Sequence, residues 1–172
     1  FRSSSESRIR LDESGRTGEI NYRGSSSFLK VSDDPSGRYC RVIIPGHHFT
    51  SEAGKPELPV YSQLVEVPAG MNVRVTLSDI SSRKIRFADH RMKGLQIYPA
   101  QLARTKNETP DEKVVLIDKK TYETRGVISH DTVVISSIGN FRGTRLVNVA
   151  VYPAFYDPSD GSVDLITSLK IS

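Results

Sequence analysis

The chain has 172 residues, with 24 Lys and Arg against 20 Asp and Glu, four His, one Cys and no Trp. That length suits one domain, and the lone cysteine excludes an internal disulfide framework and any multi-cysteine zinc site. No apolar run approaches the ~20 residues needed to cross a bilayer, and the formal charge of +4 is scattered, without the basic stripe of a nucleic-acid binder.

The chain opens Phe1-Arg2-Ser3-Ser4-Ser5, with neither an initiator Met nor an apolar leader. Serine and glycine dominate the N-terminal stretch, so residues 1–20 are expected to form a flexible arm with a short strand around Ile9–Leu11. Residues 21–172 are expected to form the folded domain. Tyr39–Ile44 is a strand-type run between Pro35-Ser36-Gly37 and Pro45-Gly46, and it places Cys40 as a small packed hydrophobe, not a reactive thiol. Leu64–Val67 and the alternating Met71, Val73, Val75 and Leu77 read as neighbouring strands across the turn Pro68-Ala69-Gly70. Lys84–Phe87, Val114–Ile117 and Thr132–Ser136 read as further short strands, and Leu146–Tyr152 as a long one with Val147, Val149 and Val151 on one face. Asp157-Pro158-Ser159-Asp160-Gly161 is a turn, and Val163, Leu165, Thr167, Leu169 and Ile171 complete a terminal hairpin. Alternation that runs to the end of the chain suggests a domain excised from a longer precursor.

No window carries a helical stripe of three turns, and Glu112–Lys120 is too short and too β-branched for one. The expected fold class is therefore all-β: an antiparallel, jelly-roll-like β-sandwich with one long loop around residues 88–112. Loops longer than about 12–15 residues in a compact domain are usually functional or disordered. This loop is the first place to look for function.

The remaining chemistry is sparse. His47-His48 are adjacent on a loop without a third ligand nearby, so no metal site is expected. His130-Asp131 reads as a turn, and no serine sits on a strand–turn–helix elbow. There is no phosphate-cradling glycine pattern, so no cofactor is expected, and no catalytic residue is assigned. Asn107-Glu108-Thr109 fits a glycosylation sequon. Tyr98, Tyr152, Phe155 and Tyr156 are the clustered aromatics that a carbohydrate-binding module would need, although core packing would use them equally.

Two blocks carry more than fold class. The first is Gly54-Lys55-Pro56-Glu57-Leu58-Pro59-Val60, followed by Leu64-Val65-Glu66-Val67-Pro68-Ala69-Gly70. The second is Arg142-Gly143-Thr144-Arg145, then Val149-Ala150-Val151-Tyr152-Pro153 and Tyr156-Asp157-Pro158. Together, over residues 38–172, they resemble the N-terminal propeptide of gingipain-like cysteine peptidases, secreted caspase-like proteases of the Bacteroidetes group. The motif residues themselves read as scaffold. Pro56 and Pro59 stiffen the approach to a strand, Gly54 supplies a turn with positive φ, Pro68 and Gly70 close a turn, and Arg142-Gly143 form a bulge opening the long strand. Pro153 and Tyr156 complete the second block.

The resemblance implies a non-catalytic pro-domain, periplasmic or secreted to the cell surface. Its partner would be the catalytic domain of its own parent cysteine peptidase, which it keeps latent and helps to fold. In the family, a loop between the two blocks offers a basic side chain to an acidic specificity pocket, a few positions before a Pro-Asp or Pro-Glu pair. Pro110-Asp111 supplies that pair here, which makes Lys106, and Arg104 upstream of it, the inhibitory residues. The alternative is a carbohydrate- or surface-binding β-sandwich module of a secreted protein.

Overall fold

The computed structural model describes residues 9–11, 18–24, 26–34, 36–68, 70–102, 115–141 and 144–172. Its strands are β1 (Ile9–Leu11), β2 (Gly18–Arg23), β3 (Phe28–Asp34), β4 (Gly37–Ile43), β5 (His48–Phe49), β6 (Pro59–Pro68), β7 (Leu77–Arg86), β8 (Gln96–Ile97), β9 (Val133–Phe141), β10 (Thr144–Val151), β11 (Ala154–Asp157) and β12 (Ser162–Ile171). One helical turn, α1 (Lys119–Tyr122), and a 3-10 turn at Phe87–His90 accompany them. The expected all-β, antiparallel class is the one observed, with a single parallel pairing among the described strands, β4 with β8.

β12 organises the molecule. On one edge it pairs with β7; on the other it pairs first with β11 and then with β2, whose own far edge takes β1. The gap between β11 and β2 is bridged by Ile166 N–H donating to the Pro153 carbonyl (2.8 Å) and Gly24 N–H donating to the Thr167 carbonyl (2.9 Å). A second sheet runs β5-β6-β10-β9 and a third β3-β4-β8.

The core has two parts, one on each face of the β12 sheet. Val163 and Leu165 join Cys40, Val42, Ile85, Phe87, Ile97 and Tyr156 in one cluster against the β3-β4-β8 sheet. Ile166, Leu169 and Ile171 join Ile20, Tyr22, Val149 and Val151 in the other, against the β6-β10 side. Successive strand residues point to opposite faces, so Leu165 and Ile166 must serve different clusters. The regular odd-numbered alternation of β12 would keep Leu169 and Ile171 on the face of Leu165. The pairing with β7 shifts register between Ile166 and Ser168, leaving Thr167 as an extra residue. One inserted residue reverses every later side chain. A compensating extra residue on β7 lies beside Asp79, one of the non-glycine residues with positive φ (51°).

Several local expectations change. The Pro68–Gly70 turn is present, with Met71 N–H donating to the Pro68 carbonyl at 3.3 Å, but the flanking runs are not neighbours. β6 pairs with β10, whereas residues 71–76 form no strand and β7 belongs to the β12 sheet. Val75 still packs into the core and Thr76 exchanges two backbone hydrogen bonds with Ser172. The alternation thus marked Val75 and Leu77, which pack against the core, whereas Met71 and Val73 stay exposed and the pairing went elsewhere. The described part of the expected strand Val114–Ile117 is not a strand, and α1 follows it directly, held by Tyr122 in the core. Within the expected 88–112 loop, the 3-10 turn, β8 and a bridge between Pro56 and Pro99 give structure as far as residue 102. Cys40 is fully buried, as expected of a packed hydrophobe, and burial pushes its thiol up to about 11.

A histidine holds the junction between β2 and the turn preceding β5. Protonated at Nδ1, His47 donates to the Pro45 carbonyl (3.2 Å) and accepts at Nε2 from the Tyr22 hydroxyl (2.9 Å), with the Tyr61 ring 5.6 Å away. Burial, and secondarily the neighbouring His48, lower its pKa below the ordinary 6.5, against the opposing pull of the Pro45 bond. The unfolded chain therefore takes up a proton on His47 before the folded chain does. Stability should be full above about pH 6.5 and decline as the pH falls below it, until the folded-state pKa is passed. Thermal unfolding between pH 7.5 and 5 is expected to show this decline, and His47→Gln to flatten it. An equal slope in both proteins would exclude His47 as its source.

Candidate functional site

The segment between β5 and β6 is where the first motif block lies. Pro56 and Pro59 restrict the conformations open to it, and Thr50 closes it. The Thr50 hydroxyl donates to the Pro56 carbonyl (2.9 Å) and accepts from Leu58 N–H (3.0 Å), while Thr50 N–H donates to the Leu58 carbonyl (2.9 Å). Leu58 then drops into the first core cluster and Pro59 begins β6.

This rigid segment grips two stretches of chain that lie far apart in sequence. The first is Tyr98–Gln101. Glu57 N–H donates to the Tyr98 carbonyl (2.8 Å), Ala100 N–H to the Lys55 carbonyl (2.8 Å), and Gly54 N–H to the Ala100 carbonyl (2.7 Å). The second is Leu116–Asp118, where Asp118 N–H donates to the Gly54 carbonyl at 2.9 Å. One peptide unit on each side of Gly54 therefore holds one stem of the chain that carries residues 103–114. Gly54 has φ of 82°, and a Cβ there would lie 3.0 Å from the Asp118 nitrogen. The glycine is required twice, by its conformation and by the second stem pressing on it.

Each stem has a further anchor. Asp118 opens α1, where its carboxylate accepts from the Thr121 hydroxyl (2.7 Å), a bond that holds the carboxyl below its usual range. One turn later the buried Tyr122 hydroxyl donates to the Ile97 carbonyl (2.8 Å), tying the second stem to β8. On the first stem, Tyr98 lies under the Arg41 guanidinium, 3.8 Å from ring centroid to Cζ. Arg41 donates to Glu57 (2.7 Å) and to Ser32 (2.7 Å). The motif glutamate is thus the counter-ion of a β4 arginine that clamps Tyr98. The side chains of Arg41 and Glu57 are 25% and 19% exposed, so solvent screens the pair only partly. Glu57→Gln is expected to cost about 1–2 kcal/mol in chemical denaturation. A loss below about 0.5 kcal/mol would show the pair to be screened like a surface bridge.

The second block builds a corner. β10 ends in one sheet and β11 begins in another, with the buried Pro153 between them. Proline has no N–H to leave unpaired at such a crossing, and its carbonyl accepts from Ile166. Tyr156 is fully buried between Phe87 and Tyr122, with ring centroids 6.0 and 6.4 Å away. Gly70 takes φ of 80° after Pro68. Arg142 and Gly143 lie outside the described residues, as do Arg104, Lys106, Pro110, Asp111 and the sequon. The bulge observed near the expected one puts the extra residue on β9, at Ile138 opposite Leu146 and Val147.

The four clustered aromatics do not share one exposed face, and Tyr152 tilts against His130 at 5.8 Å. Tyr156 is in the core, Tyr98 is covered by Arg41 and meets Tyr39 edge-on, and Phe155 is stacked by His130 at 4.3 Å. Among the described residues, no group of three His, Cys, Asp or Glu is placed to hold a metal. Sequence reasoning found Gly54 and the prolines but missed Arg41, Gln101, Asp118 and Tyr122. Glu57, Leu116 and Ile97 lie 16, 15 and 25 positions from Arg41, Gln101 and Tyr122, and Asp118 meets the more distant Gly54; no local pattern announces such pairs.

Comparison with known proteins bears on this geometry. The profile of the family described as Propeptide_C25 matches residues 8–172. Lys-gingipain of Porphyromonas gingivalis is 25% identical over 154 residues, covering 87% of this chain. The chain spans 9% of that relative's length. Among solved structures, one concerned with the zymogenic latency of gingipain K from P. gingivalis superposes with a TM-score of 0.85 at 18% identity, covering 99% of this chain and 93% of that one. A complex of the P. gingivalis RgpB pro- and mature domains gives 0.76 at 17% identity, over 95% and 84%. At such identities the structural likeness is one of fold.

Proposed function

The chain belongs to the Propeptide_C25 family, and from that premise we propose that it holds the catalytic domain of a gingipain-like cysteine peptidase latent and assists its folding. The two fold neighbours concern gingipain K latency and a pro-domain bound to a mature domain, which supports reading this chain the same way. The route is periplasmic or to the cell surface, as for a secreted peptidase. In this reading a basic residue ahead of Pro110-Asp111, Lys106 or Arg104, enters an acidic specificity pocket.

The observation that carries the reading is the double grip of Gly54 on Ala100 and Asp118. A pocket that selects a basic side chain contains a carboxylate, and a charge-assisted hydrogen bond satisfies it only at fixed distance and direction. An inhibitor gains affinity when the segment presenting the cation is ordered before binding. Two stems hydrogen-bonded to one rigid segment fix the points from which the chain leaves for residues 103–114 and returns from them. The test is to mix the chain with the mature catalytic domain of its parent. Inhibition of peptide hydrolysis is expected at micromolar concentration or below, and none at that concentration would sink the reading. A carbohydrate-binding module would leave hydrolysis untouched.

A further inference from the structure

We propose that Gln101 is the positioning residue of the segment 103–114: its side-chain amide joins the two stems directly, beyond their shared attachment to Gly54. This deepens the latency reading and rests on it only for the effect on inhibition. Leu116 N–H donates to Gln101 Oε1 at 2.9 Å, and Gln101 Nε2 donates to the Leu116 carbonyl at 3.0 Å. A side-chain amide here exchanges with residue 116 the same two hydrogen bonds that a neighbouring strand would. The Leu116 N–H can only donate, so it fixes which amide atom is the oxygen. The remaining Nε2 hydrogen faces the carbonyls of Pro99 (2.9 Å) and Ala100 (3.1 Å), within the same stem.

The backbone bonds of Gly54 and Lys55 secure the stems at Ala100 and Asp118. The Gln101 clasp adds a tie between residues 101 and 116, closer in sequence to residues 103–114 than the bonds of Gly54, and so closes a shorter loop of chain. Few side chains can replace it. Glutamate keeps the length but would set a carboxylate against three carbonyl oxygens. Leucine keeps the volume without either bond, and asparagine is one methylene short. The exposed side chain of Leu116 is about half accessible and Leu102 more so, so the clasp is not a by-product of core packing.

The test uses the whole chain in two assays. Trypsin cuts after Arg104 and Lys106, and its rate at those bonds reports how well the segment is held. Gln101→Leu is expected to raise that rate and to weaken inhibition of the mature catalytic domain roughly tenfold, the worth of one to two hydrogen bonds. Gln101→Glu should fall between it and the parent, because it retains the acceptor for Leu116 N–H. Melting temperature should stay within a few degrees, and both assays run well below it. Unchanged cleavage in both variants would overturn the proposal. Faster cleavage with unchanged inhibition would overturn the role of the clasp in latency. If a Lys106→Ala/Arg104→Ala double variant still inhibited like the parent, the pocket reading would fall instead, and the cleavage rates would still decide the role of Gln101.

Discussion

Tyr156→Ala is expected to cost about 3–5 kcal/mol of folding free energy, the range for deleting a buried aromatic side chain. Tyr156 is fully buried, stacked on Phe87 and edge-on to Tyr122, at the place where β11, β8 and the start of β12 converge. Domains of this kind hold about 5–15 kcal/mol in all, so the loss is a large share of it. For 150–250 residues, each kcal/mol lowers the melting temperature by about 2–4 °C, which puts the expected drop at roughly 6–20 °C. Differential scanning calorimetry would measure it, and a drop of only a degree or two would mean that the cluster is not a cooperative core. The hydroxyl behaves differently from the ring. It is buried beside the Ile97 backbone without a well-formed hydrogen bond among the described residues, and burial pushes its pKa up to about 12. Tyr156→Phe should therefore leave stability unchanged or raise it. Tyr122→Phe removes a buried bond to the Ile97 carbonyl and should cost about 1 kcal/mol. The two conservative substitutions, on adjacent rings, are expected to differ in sign.

Lys106→Ala is the second large effect, and it should appear in binding with folding untouched. If Lys106 meets a desolvated carboxylate in the peptidase, truncating it leaves that charge buried and unpaired. Such truncations cost about 2–5 kcal/mol, which is roughly 30- to several-thousand-fold in affinity. Arg104→Ala distinguishes the two basic residues, since only one can occupy a single pocket. The inhibition constants of both variants against the mature catalytic domain decide the matter. Equal potency of both with the parent would refute the loop mechanism while leaving family membership intact. High salt should weaken the parent only modestly, because a desolvated pair is screened far less than exposed charges.

The terminal hairpin was legible from local chemistry. Asp157 accepts from the backbone of Ser159 (2.9 Å) and Asp160 (3.1 Å), as an aspartate opening a turn should, and Gly161 takes φ of 61°. The buried Val147, Val149 and Val151 of β10 were legible from short-range alternation, and Cys40 from its place in a β-type run, where a lone cysteine packs as a small hydrophobe. The β6–β7 pairing failed because a turn fixes the path of the chain for a few residues and cannot say which strand each run will meet afterwards. Helix α1 was missed because its stability lies in Tyr122 reaching the core, with only one turn of local hydrogen bonds to show for it.

By itself, the sequence determined the all-β class, the absence of a disulfide framework, the membership signalled by the Gly54–Gly70 and Arg142–Pro158 blocks, and the need for a positive φ at Gly54. All of these depend on residue type or on neighbours a few positions apart. Only the tertiary structure decided that Thr167 reverses the faces of β12 and that Glu57 is the partner of Arg41. It also decided that Gly54 and Gln101 join Ala100 to Asp118 and Leu116. Those are contacts between distant segments, and a bulge of one residue is enough to exchange inside for outside. Lone cysteine, scattered charge and modest length are properties of composition; the hydrogen bonds that join the two stems exist only in the folded chain.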